Sequence, residues 1–169
     1  TGIHGTTLLA IAGGVIDADR TARLLSPHFG PGPVVHSHVI TGFHALPEQA
    51  RETISGLRAA PGWPAAPRIV AADELLPERA LLADTSAAAA LIATAYRPLA
   101  ADQALLTTAA AYLEQSPSLE ATARTLVVHP NTVRYRLRRI AEITGFSPLE
   151  PRGAYALRLA LSLGRLATL

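Results

Sequence analysis

Residues 118–140 read SLEATARTLVVHPNTVRYRLRRI, two short helical patterns separated by three residues. Ser118 suits an N-cap, where its hydroxyl accepts an otherwise orphaned amide hydrogen, and Glu120 favours the positive end of the helix that follows. Leu119, Ala123 and Leu126 fall at i, i+4 and i+7, and the small Ala123 leaves room for a second helix to cross closely. Pro130 fits the first turn of that second helix, where its lacking N–H is not missed. The joint is then only Val127-Val128-His129, which is the geometry of a helix-turn-helix. His129 stands at the expected N-cap, placed to cap the helix or to touch a phosphate there, and capping is the simpler role.

At about 100° per residue, Val133, Leu137 and Ile140 form one narrow apolar seam that is expected to face a core. The opposite side carries Asn131, Tyr135, Arg138 and Arg139, with Arg134 and Arg136 on its flanks. Asn bridges the N6/N7 edge of adenine and Arg the O6/N7 edge of guanine, while other guanidinium groups neutralise phosphates. Side chains of the first turns reach deepest into a groove. Asn131, Thr132, Arg134, Tyr135 and Arg138 are therefore the candidates for base edges, and Arg124, Arg136 and Arg139 for phosphates. The competing reading is a solvated surface helix, or a face that docks an acidic protein. Two features favour double-stranded DNA: the bracing helix before it, and a basic face nearly free of Glu, where a merely solvated helix would mix signs.

Outward from this stretch, charge separates the chain into two parts. Residues 1–102 hold seven Arg against nine acids, and residues 103–169 hold eight Arg against four, so the basic character belongs to the C-terminal third. All fifteen cationic residues of the 169 are Arg. With neither Cys nor Met and 49% apolar residues, the chain has no thiol chemistry and lies far from disordered composition. No apolar run approaches the ~18 residues of a spanning helix, and no leader pattern opens the sequence. We expect a cytoplasmic protein and, from the abrupt entry into Leu8-Leu9-Ala10-Ile11, a piece of a longer chain.

The N-terminal half alternates short apolar runs with helical patterns. Strands are expected over 7–12, 33–40 and 68–71, and helices over 17–29, with Asp17 as N-cap, and over 48–60. Pro61-Gly62-Trp63-Pro64-Ala65-Ala66-Pro67 must be irregular. From Leu75 onward the pattern is helical: 87–96, 102–115, 119–126, 131–144 ended by Gly145, and 153–166, with a domain boundary within 80–102. Pro117 and Pro130 punctuate this part. The last helix is apolar around everything but Arg158, Ser162 and Arg165, which leaves two readings, a cap on the small C-terminal core or a subunit contact.

Ser118–Ala123 followed by Val128–Ile140 resembles, almost letter for letter, the C-terminal helix-turn-helix of the PucR/CdaR family of bacterial transcriptional regulators. Upstream, Leu57–Pro64 and Asp73–Leu81 are similar to the end of the GGDEF-like domain that precedes it in many members. One departure from helix-turn-helix proteins is Val127, where a turn glycine is common. The resemblance implies an α+β chain: a partial GGDEF-like α/β region over 1–84, a helical linker over 85–101 and an all-α DNA-binding domain over 102–169. It also implies a homodimer or higher homo-oligomer acting on double-stranded DNA, away from membranes, with any small-molecule effector bound by a further N-terminal region.

Enzymatic readings of the N-terminal half are weaker. The Gly-Gly-acidic-acidic loop that would hold metal and triphosphate in a cyclase is absent, since Gly13-Gly14-Val15-Ile16 precedes Asp17 at the wrong distance. His36, His38 and His44 lack the converging Cys or carboxylate ligands of a zinc site, and Ser37 beside two histidines on a strand is no catalytic triad. We expect no catalytic residues, no metal site, no cofactor and no enzymatic activity, with a metal- or nucleotide-dependent enzyme as the alternative.

Overall fold

Asp17 starts the first helix through its own chemistry: its carboxylate accepts the Arg20 amide hydrogen at 3.0 Å, and its carbonyl accepts the Thr21 hydroxyl at 2.8 Å. The computed structural model describes residues 2–5, 7–114 and 118–168. These fall into two units, Thr1–Leu82 and Ala83–Leu169.

In the first unit a hairpin of β1 (Gly2–His4) and β2 (Thr7–Leu9) pairs antiparallel. Helix α1 (Ala18–Leu25) follows, with Asp19 and Arg23 paired at 2.7 Å one turn apart. The Arg23 guanidinium, chiefly through this hydrogen bond, holds the Asp19 carboxyl below its ordinary value. Strand β3 (Val34–His36), helix α2 (Leu46–Ala59), strand β4 (Ile69–Ala71) and the short helix α3 (Leu76–Leu81) complete the unit. β3 and β4 form a separate two-stranded parallel sheet, Val35 opposite Val70. Ala60, Val70 and Leu75 make a small core, with Val35 and Trp63 packed against it.

Close approach of α2 to this sheet depends on Gly56, because a Cβ there would lie 3.0 Å from Val35 Cγ1. Two arginines act as internal ties. Arg68 donates to the carbonyls of Ser26 and Gly30, at 3.2 and 2.7 Å, and the buried Arg79 donates to the Ala72 carbonyl at 3.1 Å with Glu52 at 3.9 Å. The expected strands are present but shorter than the sequence suggests: residues 10–12 and 37–40 are outside the paired strands. Gly2–His4 pairs as a strand although the pattern in the sequence marks its first strand only from residue 7.

The second unit is helical. Asp84 caps α4 (Thr85–Leu91) by accepting the Ser86 and Ala87 amide hydrogens, each at 3.1 Å. The chain continues through a wide π turn at Ile92–Tyr96 into α5 (Arg97–Ala100). Leu91, Ala95 and Leu99, four apart, are fully buried. Residues 85–101, expected as a linker, are thus an integral layer of this unit. Helix α6 (Gln103–Glu114) starts at Asp102, whose carboxylate accepts the Ala104 and Leu105 amide hydrogens. Gln115 and Pro117, which end and follow the helix expected over 102–115, lie outside the described residues. Helices α7 (Leu119–Leu126), α8 (Pro130–Thr144) and α9 (Pro151–Leu166) follow. Gly145 ends α8 at φ 74°, the left-handed conformation that favours glycine. α9 buries Ala156, Leu157, Ala160 and Leu161 against α6, α4 and the π turn, and Gly164 lies against the Tyr96 ring. The core therefore accounts for most of its apolar breadth, and among its described large apolar residues only Leu166 is exposed.

Candidate nucleic-acid interface

Ser118 opens α7 as the sequence predicts, its hydroxyl accepting the Ala121 amide hydrogen at 3.3 Å. The helix closes at Val127, which adopts φ 54° and ψ 48° while the Val128 amide donates back to the Ala123 carbonyl at 3.0 Å. A β-branched residue in the left-handed region is strained by about 1–2 kcal/mol. Its side chain is 91% exposed, so no packing offsets the strain. Val127→Gly is expected to stabilise the helical unit by about 0.5–1 kcal/mol, the strain relieved less the extra freedom of the unfolded chain. Equal or lower stability in thermal denaturation would contradict this.

The turn ends at His129, whose Nδ1 accepts the Asn131 amide hydrogen at 3.1 Å, making the side chain an N-cap as expected. This leaves α8 with a buried and an open side. Val133, Leu137 and Ile140 are 0%, 1% and 0% exposed, so the apolar seam faces the core. Tyr135 is 67% exposed, and Asn131, Arg134, Arg138 and Arg139 share the open side with it. Arg124 adds an exposed cation on α7.

The candidates do not all behave alike. Of the five proposed for base edges, Asn131, Arg134, Tyr135 and Arg138 are exposed and Thr132 is half-buried. Arg134 donates to Asn131 Oδ1 at 2.6 Å, so these two are already joined. Among the described residues Arg138 makes no hydrogen bond or ion pair. Of the phosphate candidates, Arg124 is open, whereas Arg139 is held by Glu142 at 3.0 Å, three residues on. Arg136 is half-buried and turns to α6, donating to the Thr108 hydroxyl at 3.2 Å. Thr108 in turn donates to the Ala104 carbonyl, so Arg136 braces α8 against α6. Glu142 was legible as an i,i+3 neighbour of Arg139, but nothing in the sequence marks Thr108 as a partner 28 residues away. No group of three or more His, Asp or Glu suited to a metal ion occurs among the described residues, and no described helix is long and apolar enough to cross a membrane.

Residues 105–163, from α6 into α9, match the model of the PucR C-terminal helix-turn-helix domain. The chain carries a PucR C-terminal helix-turn-helix domain. The PucR domain of this chain thus includes both helices of the turn and the α6 and α9 scaffold, with the Arg136–Thr108 brace inside it. The purine catabolism regulatory protein of Bacillus subtilis is 46% identical over 65 residues, 38% of this chain and 12% of that protein. A solved structure from Bifidobacterium adolescentis, described as a regulator of polyketide synthase expression, is 41% identical, with a TM-score of 0.84 over 92% of this chain and 63% of its own. An uncharacterized protein of Mycobacterium tuberculosis is 47% identical over 168 residues, 98% of this chain and 41% of that protein. The chain therefore spans about two fifths of the length of this mycobacterial relative.

Proposed function

We propose that the chain is the C-terminal portion of a sequence-specific, DNA-binding transcriptional regulator in which α8 reads the major groove. The observation that carries this reading is the division of α8, an apolar seam sealed in the core and a cationic face with one aromatic open to solvent. Asn131, Arg134, Tyr135 and Arg138 then address base edges, Arg124 and Arg139 address phosphates, and Thr132 lies at the margin of the face. The similarity to a purine catabolism regulatory protein and to a regulator of polyketide synthase expression supports a regulatory role. A homodimer would set two α8 helices about 34 Å apart on a roughly palindromic site. The first unit is read as a non-catalytic, GGDEF-like scaffold, and the effector as a ligand of polypeptide beyond this chain.

Binding to duplex DNA should weaken steeply as salt rises, because each neutralised phosphate releases counterions. Arg124→Ala is expected to lower the slope of log K against log salt by about 1 while leaving discrimination between sequences intact. Affinity indifferent to salt would contradict the reading. Arg136→Ala is expected to act differently. Its loss removes the brace to Thr108, costing about 1–2 kcal/mol of folding stability in chemical denaturation, with the salt slope unchanged. A lowered slope at full stability would return Arg136 to the phosphate-contacting set.

A further inference from the structure

Arginine donates hydrogen bonds and accepts none, so the atom of Asn131 that lies 2.6 Å from Arg134 Nη1 must be the carboxamide oxygen, Oδ1. The bond links residues three apart in the first turns of α8, the end of the helix whose side chains reach deepest into a groove. A free Asn carboxamide offers an acceptor beside a donor, the pattern that matches the N6 amine and N7 of adenine. With Arg134 seated on Oδ1, what remains outward is the Nδ2 amine and the other guanidinium N–H groups. A base donor that approaches the second lone pair of Oδ1 meets the Arg134 charge, whereas a base acceptor is drawn in by it.

The rest of the open face has the same polarity. Residues 130–141 contain neither Asp nor Glu, and Glu142, the first carboxylate of α8, is paired with Arg139 at 3.0 Å. Arg138 is exposed and can only donate. His129 accepts the Asn131 amide hydrogen through Nδ1, which leaves its ring proton on Nε2 as one more donor. The positive end of the α8 dipole lies at this same turn. The hydroxyls of Thr132 and Tyr135 can accept, but each is a single oxygen that donates as readily, so neither supplies the paired donor and acceptor that adenine requires.

Bases differ in what they present to such a face. In the major groove guanine shows two acceptors, N7 and O6, adenine one acceptor beside an amine, thymine one acceptor beside a methyl, and cytosine an amine. We propose that Asn131 and Arg134 act as one unit that selects guanine and rejects adenine, with Arg134 setting the polarity of the Asn131 carboxamide. This rests on the reading of α8 as the groove-reading helix and names the base that its leading turn takes.

The test is binding-site selection from a random-sequence duplex library by the parent chain and by Asn131→Ala, Arg134→Ala and Arg138→Ala. It is followed by affinities, at one salt concentration, for duplexes carrying each base pair at the position where Asn131→Ala relaxes discrimination. All three side chains are exposed, so the variants should melt with the parent. The parent is expected to prefer guanine to adenine at that position by about tenfold or more. Arg134→Ala frees Oδ1, so guanine should lose about tenfold in affinity while adenine gains, until adenine is bound at least as well. Loss of a phosphate contact would instead weaken every duplex alike, so the exchange of preference is the readout. An Asn131→Ala or Arg134→Ala variant that keeps the parent's discrimination at every position overturns the proposal. So does a parent that selects adenine there and binds it less tightly once Arg134 is removed, the result if Arg134 only steadies Asn131 on adenine. In either case Arg138→Ala still relaxes a base position of its own, and the reading of α8 stands. Discrimination unchanged in all three variants overturns that reading and the proposal together.

Discussion

Gly164→Ala is expected to destabilise the helical unit by about 3 kcal/mol, the upper range for forcing a methyl into a filled core. At Gly164 an added Cβ would overlap the Tyr96 ring, and Tyr96 belongs to the π turn that packs on α9. The sign of the change is what makes the experiment decisive. In an ordinary helix interior, Gly→Ala gains about 0.5–1 kcal/mol because alanine restricts the unfolded chain. A loss therefore measures the ring contact and not helix propensity. For a unit of this size the melting temperature should fall by roughly 12–24 °C. Tyr96→Ala in the same background should restore part of the loss, since the methyl then enters vacated space, and the two changes should couple by about 1 kcal/mol or more. A stabilised Gly164→Ala variant, or strictly additive effects, would refute this packing.

The second large effect concerns binding. Arg138→Ala should leave stability within about 0.5 kcal/mol of the parent, because the side chain is exposed and makes no hydrogen bond or ion pair among the described residues. Its affinity for a selected duplex should nevertheless fall by about 1–3 kcal/mol, roughly 5- to 150-fold, with discrimination relaxed at one base position. Arg134→Ala and Asn131→Ala should relax a common position and combine less than additively, since the two side chains are hydrogen-bonded to each other. Unchanged affinity and unchanged discrimination for Arg138→Ala and Asn131→Ala would remove the assigned face from DNA recognition.

What the sequence revealed follows from the range of the interactions involved. Ser118, Pro130 and Gly145 act on amides and carbonyls within a few residues of themselves, so the limits of α7 and α8 were legible to within one residue. The seam of Val133, Leu137 and Ile140 was legible because helical periodicity alone sets it. The Tyr96–Gly164 contact, the π turn that presents it, and the Arg136–Thr108 brace were not, because each joins residues or conformations that no local pattern encodes. Arg136 looked like its neighbours in a row of arginines, and only the position of α6 separates it from them. The strands fall short of 10–12 and 37–40 for a different reason: these residues have strand character, but pairing requires a neighbouring strand, and the described residues place none beside them.

Base-analogue substitution in a selected duplex tests the reading of α8 most directly. Guanine offers N7 only in the major groove and its N2 amine only in the minor groove. Replacing the contacted guanines by 7-deazaguanine should weaken binding about tenfold or more, and should do so much less for Arg138→Ala, while replacing them by inosine, which lacks only the N2 amine, should change little. Binding that survives the loss of N7 but fails with the loss of N2 would place the protein in the other groove and contradict the account.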